Sequence, residues 1–382
     1  MTAKRVLAPQ GQPGASPYSL FSAYPLLRGA LPRVPLGLWP TPVLPLSRLT
    51  NELDVGPIHV KRDDVSALPY GGNKIRKLEI LLGDALARGA TDVITFGAVG
   101  SNHAFATALY GRALGLNVTS MLTPQPNAGY VRRNLLGHLA SGASVRFCEH
   151  RDEALQEAER LRTQLVRDTG TEPYVIPFGG TTPMSTAGAV SAGLEFAGQV
   201  AVGNAPAPDV IYVTLGSMGT AAGVALGVAL GGLSSLVRAV RVVPDTIATT
   251  EAFEELLDAS TAVLRAGDPA IPRDLVSRAN VEIVEGYLGE GYARFTPEGM
   301  DAIRLAALDG LHLDGTYTGK TMAALAADAR SGRLDGMTTL FWDTYNSRDT
   351  GALVAGVQYR DLPEAGRAYF ETDVQPLDNE GN

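Results

Sequence analysis

Apolar residues recur through the middle of the chain in two alternating patterns. Asp92-Val93-Ile94-Thr95-Phe96 has the short, β-branched, nearly continuous apolar character of a strand buried on both faces. A glycine turn, Gly97-Ala98-Val99-Gly100, follows it. Ser101 then opens a helix with Phe105, Ala108, Leu109 and Ala113 on one face, ended by Gly115. The alternation continues with strands at 118–122, 144–148 and 174–177 and helices at 130–140 and 153–167. Past the loop 178–182 come a helix over about 185–198 and the clearest strand of all, Asp209-Val210-Ile211-Tyr212-Val213-Thr214. Strands at 239–243, 281–284 and 339–343 are interleaved with helices at 250–265, 296–308 and from about 314 to 329. Thr296-Pro297-Glu298 marks one helix start by its capping hydroxyl and first-turn proline. Strands separated by helices at this spacing predict parallel sheets joined by right-handed crossovers.

The flanks lack such periodicity. Residues 1 to about 24 are rich in Gly, Pro, Ser and Ala and are expected to form a loosely held arm. Prolines between 31 and 49 suit an extended segment crossing a surface, and the acidic stretch after Val357 suits a mobile tail. At 382 residues, 45% hydrophobic and 19% charged, the chain has enough apolar sequence for two domains or one large α/β unit. A net charge of −8, dispersed along the chain, argues against a nucleic-acid or anionic-membrane surface. Cys148 is the one cysteine, so no internal disulfide can form; it follows a strand and reads as a core thiol in a reducing compartment. With no membrane-length apolar run and no signal-peptide pattern at the start, the expected location is cytoplasmic.

Two stretches carry candidate chemistry. In Gly71-Gly72-Asn73-Lys74-Ile75-Arg76-Lys77-Leu78-Glu79, two glycines let the backbone pass close to a neighbour, and a helix follows with Leu78, Leu82 and Ala85 at helical spacing. Lys74 and Lys77 share a helix face, so repulsion and burial are expected to lower the pKa of the more buried amine, as a nucleophilic lysine requires. The alternative is a solvated basic first turn. The carboxylates of Asp63 and Asp64 are expected to hold Arg62 or Arg76 rather than to act in chemistry. In the second stretch, the strand ending at Thr214 runs into Gly216-Ser217-Met218-Gly219-Thr220 and a helix to about Leu230. Free amides and the positive end of the helix dipole there make an anion site. The turn matches neither Gly-x-x-x-x-Gly-Lys-Ser/Thr nor Gly-x-Gly-x-x-Gly, so a single phosphate fits it better than a pyrophosphate; a plain strand–helix turn is the alternative.

A lysine and one phosphate together suggest pyridoxal 5′-phosphate. The motifs Lys61-Arg62-Asp63-Asp64, Gly71-Gly72-Asn73-Lys74 with Arg76-Lys77-Leu78-Glu79, Ser101-Asn102-His103 and Tyr317-Thr318-Gly319-Lys320-Thr321-Met322 resemble those of the D-cysteine desulfhydrase and 1-aminocyclopropane-1-carboxylate deaminase family, over roughly residues 31 to 342. The resemblance implies a fold-type II, tryptophan-synthase-β-like α/β enzyme with two open, twisted, mainly parallel domains and the cofactor in the cleft. Residues 1–76 and 177–382 would form the large domain and 77–176 a small inserted one. By resemblance, Lys74 binds the cofactor aldehyde covalently and moves protons at the substrate α-carbon, and Lys77 sits near the cofactor phosphate or pyridine edge. Asn102 meets the phenolic oxygen, Ser101 meets the substrate carboxylate or transfers a proton, and Gly216 to Thr220 cradle the phosphate. Tyr287 and Tyr317 are candidate active-site phenols, whereas His103 reads as a structural histidine. A small amino-acid substrate and a homodimer are implied as well.

Thr318 matches the position facing the pyridine nitrogen, a glutamate in the deaminases and a threonine in the desulfhydrases. A hydroxyl cannot enforce pyridinium formation, so a long-lived carbanion is poorly stabilised. β-Elimination tolerates that, which favours a D-cysteine-like substrate giving pyruvate, ammonia and sulfide. Ring opening of 1-aminocyclopropane-1-carboxylate, a reaction on a larger or anionic amino acid, and a cofactor-holding protein without turnover are the alternatives. Three departures from the family bear on the substrate. Gly100 replaces the usual glutamine, which loses a carboxylate contact or opens a larger pocket. Asp343-Thr344-Tyr345-Asn346-Ser347-Arg348-Asp349 replaces the usual His-Thr-Gly-Gly, so Arg348 is expected either to receive an acidic substrate group or to pair with Asp343 or Asp349. Thr181-Thr182-Pro183-Met184 replaces a Ser-Asn pattern.

Overall fold

The alternation of strands and helices resolves into two separate sheets. The computed structural model describes residues 18–378. Its strands are β1 (Val43–Pro45), β2 (Ile58–Arg62), β3 (Asp92–Ala98), β4 (Asn117–Thr123), β5 (Ser144–Phe147), β6 (Tyr174–Ile176), β7 (Val210–Leu215), β8 (Leu236–Arg241), β9 (Val281–Val284) and β10 (Thr339–Asp343). One sheet has the order β1-β2-β10-β7-β8-β9 and the other β5-β4-β3-β6. Every pairing is parallel except β1 with β2. The four-stranded sheet draws all its strands from residues 92–176.

The strand with the most continuous apolar sequence lies where two-sided burial is greatest. All six residues of β7 are buried between β10 and β8, with helices on both faces. The helix Lys74–Ala87 is buried from Ile75 to Ala85 rather than amphipathic, because the helices Ala187–Ala201 and Asn102–Ala113 cover it. Its charged residues are correspondingly paired. Arg76 donates to Asp63 (2.6 Å) and Glu195 (3.1 Å), Lys61 donates to Glu195 (2.6 Å), and the Trp342 indole donates to Asp63 (3.0 Å). Asp64 accepts from Arg62. Both carboxylates of the Asp63-Asp64 pair thus hold the arginines that the sequence pointed to.

The flanks are more ordered than their composition predicts. Residues 18–23 include a short helix, Ser19–Ala23, with Leu20 and Phe21 buried against the large sheet's helices; the rest of the expected arm, 1–17, lies outside the described residues. The proline-rich segment 31–49 is tied down by Glu79, which accepts from the Arg33 side chain, the Leu36 and Gly37 amides and the Trp39 indole. Nor is the segment after Val357 a free tail. The helix Glu364–Glu371 packs on the helix Gly129–Ser141, and Arg132 and Asn127 donate to the Tyr369 carbonyl. Tyr359, Leu362, Tyr369 and Phe370 supply the apolar contacts, too widely interrupted by charges to show as a period. No helix among the described residues is long and apolar enough to cross a membrane.

Candidate active site

A cavity of about 270 Å³ opens between the carboxyl ends of the two sheets, where open parallel sheets bind ligands. Ala98, Ser101, Asn102 and Thr123 line it from the small sheet; Lys74, Thr214, Gly216, Ser217, Tyr317 and Thr344 line it from the large one. The glycines before Lys74 are required by geometry. A side chain on Gly71 would run into the Asp64 carbonyl, and Gly72 has φ 92° with the Thr344 carbonyl 3.1 Å from where a Cβ would stand. This close approach sets Lys74 at the start of its helix, facing the cavity.

Burial pushes the Lys74 amine down to about 8, with Asp314 pulling the other way. Its Nζ donates to Asn73 Oδ1 (3.0 Å), whose amide in turn donates to Thr220 Oγ1 (2.8 Å). Lys77 is pushed down further, by burial first and by Lys74 second. The mutual repulsion expected from their spacing is therefore present but secondary to desolvation. Lys77 Nζ donates to the Gly179 carbonyl (2.8 Å) and Thr181 Oγ1 (3.0 Å) and lies 3.5 Å from Ser217 Oγ, so it sits under the glycine turn.

That turn has the form an anion needs. The helix Gly219–Leu230 begins at Met218, which takes φ 65° as the Gly219 amide donates back to the Ser217 carbonyl (2.7 Å). A γ-turn with its centre at positive φ is rare and strained, and such strain clusters at ligand sites. The next amides have no partner within their own helix, and Gly216 has only the Tyr317 ring within 4 Å of a Cβ position. Bare amides, a helix N-terminus and the Lys77 side chain thus converge on one open spot, as a phosphate requires, with the Lys74 amine in the same cavity. The residues fit pyridoxal 5′-phosphate.

On the small-sheet side, Ser101 caps the helix Asn102–Ala113, its Oγ accepting from the Ala104 amide. The Asn102 oxygen is taken by Tyr70 (3.1 Å) and Asn134 (3.0 Å), which leaves its NH₂ as the end not engaged. His103 is neutral and buried, 3.2 Å from Thr95 Oγ1; burial holds its pKa well below the usual range. Gly100 opens no larger pocket. Gln125 Nε2, Tyr130 and Val131 stand 2.8 Å from the position of a Cβ, and Gln125 accepts from the Gly100 amide (3.0 Å).

The two candidate phenols lie apart. Tyr287 does not line the cavity but packs beside the cluster under the large sheet that contains Met322 and Phe341. Tyr292 lines the cavity instead, its hydroxyl 2.5 Å from that of Tyr317. The available signal was Gly289-Glu290-Gly291 before Tyr292, glycines that take φ 70° and 156° and turn that ring inward. Asp314 was missed as well: it lines the cavity, accepting from the Thr318 amide and hydroxyl (2.9 and 2.7 Å) and the Tyr317 amide (3.1 Å). An aspartate four residues before Thr318 is a capping signal. Thr318 itself is fully buried behind that wall.

The segment 344–348 grips the lysine loop from behind. Asn346 Oδ1 accepts from the Gly71 amide (2.6 Å), the Thr344 carbonyl accepts from the Asn73 amide (3.1 Å), and the Ser347 amide donates to Asp64 O (3.2 Å). Arg348 neither reaches the cavity nor pairs with Asp343 or Asp349. Its guanidinium donates to the carbonyls of Val65 (2.8 Å) and Ala67 (3.2 Å), because the chain leaving β10 turns back along the 64–67 loop. Tyr345 does line the cavity.

Comparison with known proteins agrees with this arrangement. The crystal structure of an ACC deaminase homologue superposes with a TM-score of 0.72 at 33% identity, covering 88% of this chain and 98% of that one. Nocardicin C-9′ epimerase of Nocardia uniformis subsp. tsuyamanensis is 38% identical over 86% of this chain and 97% of its own length. D-cysteine desulfhydrase of Salmonella choleraesuis is 35% identical over 77% and 87% respectively. Residues 34–344 match the family described as pyridoxal-phosphate dependent enzyme, which covers both sheets and every residue of the cavity described above except Tyr345. With a buried lysine amine and an anion cradle facing one cleft, the chain belongs to the pyridoxal-phosphate dependent enzymes.

Proposed function

We propose that this protein is a pyridoxal-phosphate dependent lyase that eliminates the β-substituent of a small, D-cysteine-like amino acid, releasing pyruvate, ammonia and sulfide. The observation that carries the reading is the buried Lys74 amine, at about 8, sharing one cavity with the strained glycine turn. Lys74 would hold the cofactor's aldehyde carbon, the unengaged amides of the Gly216 to Thr220 turn and the Lys77 side chain its phosphate, and the free Asn102 NH₂ its phenolic oxygen. Bound there, the cofactor supplies an electron sink for the pair left at the substrate α-carbon. Lys74 then removes the α-proton, while Ser101 and its neighbouring amides orient the carboxylate. Burial raises the pKa values of Tyr292 and Tyr317, so both phenols stay protonated at neutral pH and one can hand a proton to the departing sulfur.

By resemblance a threonine at 318 supports elimination over ring opening, and here its hydroxyl is held by Asp314 on both sides, donating to the carboxylate and accepting from the amide. 1-Aminocyclopropane-1-carboxylate is therefore the lesser alternative. The similarity to an epimerase favours one further reading, reprotonation of the α-carbon on its other face. Both begin with loss of the α-proton. Incubating holoenzyme with D-cysteine in deuterium oxide separates them: pyruvate and sulfide support the lyase, α-deuteration without keto acid supports the epimerase, and neither overturns both. Borohydride reduction followed by peptide mapping tests the cofactor assignment, with the pyridoxyl group expected on Lys74. We further propose two domains, 1–76 with 177–382 and 77–176, supported by the small sheet's confinement to 92–176. A homodimer in the cytoplasm is proposed on family resemblance and composition.

A further inference from the structure

Besides the polar groups of Lys74, Ser101 and Tyr317, the cavity has an apolar part beside the 216–220 turn, lined by Phe178, Met218, Val243 and Ile247. That part also takes in Arg151, an exposed cation and the first residue of the helix Arg151–Thr169. Its guanidinium rests on the Phe178 ring, 4.8 Å from the centroid. No carboxylate pairs with it among the described residues, although most arginines of the same helix are paired: Arg160 with Glu157, Arg162 with Glu159 and Glu172, and Arg167 with Asp168. A second cavity of about 480 Å³ shares Arg151, Phe178, Ser217, Met218 and Ile247 with it. Lys74 and Arg151 are the lysine and the arginine of the cavity lining among the described residues.

We propose that Arg151 and the Phe178–Ile247 wall form a subsite for a second acidic group at the far end of the substrate side chain, so that the preferred substrate is an amino acid carrying a distal carboxylate beyond an apolar spacer. The planar fork of the guanidinium matches a carboxylate, and stacking on Phe178 holds it in place before binding. The inference rests on the lyase or epimerase reading for the position of the reacting end. The length of the spacer is what the test reads.

The experiment is calorimetric titration of holoenzyme with succinate, glutarate and adipate, each beside the monocarboxylate of equal chain length. One dicarboxylate is expected to bind about ten- to hundredfold tighter than its monocarboxylate, the usual range for a charge-assisted contact. Arg151→Met, which keeps apolar bulk over Phe178, is expected to abolish that margin, and Arg151→Lys to retain part of it. The proposal is overturned if no dicarboxylate is preferred, as for a solvated surface arginine, or if Arg151→Met keeps the preference. It is also overturned if Arg151→Met weakens pyridoxal 5′-phosphate affinity while leaving dicarboxylate preference intact, which would make Arg151 a phosphate contact. Cofactor attachment to Lys74 and α-proton loss are scored on the same preparation, so failure of the reaction reading is visible separately.

Discussion

A lysine becomes a nucleophile here through burial more than through repulsion. The Lys74 amine sits at about 8 because its surroundings exclude water, and the Asp314 carboxylate opposes that shift. The neutral amine is the reactive form, so covalent capture of pyridoxal 5′-phosphate by the apoprotein is expected to accelerate as pH rises through about 8 and to level off above it. Asp314→Asn removes the charge that raises the pKa, and the midpoint of that profile is expected to move to lower pH. Stopped-flow absorbance measures both; an unshifted midpoint in Asp314→Asn would show that the carboxylate acts only as a helix cap. The phenols separate as cleanly. Tyr292→Phe is expected to lower kcat by about 10²–10⁴, the usual weight of a positioned acid, whereas Tyr287→Phe should stay within a few-fold. Equal effects would return Tyr287 to the site.

Among the elements, the departure from the His-Thr-Gly-Gly pattern turns out to be a brace. Bulky polar residues at 345–348 predict a substrate contact when read along the chain. The structure instead spends Asn346 and Arg348 on the backbone of the loop that leads to Lys74. Truncating Asn346 to Ala leaves the buried Gly71 amide without its acceptor, a loss that typically costs about 1–3 kcal/mol. A lower urea midpoint for the apoprotein is expected, together with slower capture of cofactor by Lys74. Normal stability in that variant would mean that water or a rearranged loop replaces the contact. Gly100 teaches the same lesson from the other side, since the missing side chain is replaced by Gln125 from the loop after β4.

At the scale of the molecule, the site rests on a buried charge cluster that joins β2, β10 and two helices. Burial alone would raise the Glu195 pKa, but Arg76 and Lys61 hold it at about 2. A carboxylate depressed in the folded state contributes stability above its ordinary value of 4.5, and that contribution is lost as pH falls from about 4.5 towards 2. Glu195→Gln leaves Lys61 and Arg76 short of one negative charge in a buried setting, a change that typically costs about 3–5 kcal/mol. Chemical denaturation at neutral pH should show it, and the variant should lose less stability than the parent between pH 4.5 and 2. If both titrate alike in that window, the acid sensitivity belongs to other carboxylates.

The division between sequence and tertiary structure follows from how far apart the partners lie. Local pattern was enough for the strands and the helices between them, for glycines at 71–72 that free the backbone, and for the turn at 216–220, because each depends on neighbours within a few residues; that the 64 and 344 backbones are what 71–72 passes was decided by the fold. Family resemblance added Lys74, Lys77, Ser101 and Asn102 as one constellation; folding brings Lys74, Ser101 and Asn102 to a common cavity and Lys77 beneath its glycine turn. Helices at the termini escaped detection because their apolar residues are few and meet partners more than a hundred residues away, as Leu20 does in the cluster that holds Val190 and Phe196. The choice of Tyr292 over Tyr287, the filling of Gly100 by Gln125 and the diversion of Arg348 to carbonyl oxygens were likewise decided only in three dimensions. Four residues separate the two tyrosines, and the turn between them, set by glycines at positive φ, determines which ring faces the cleft.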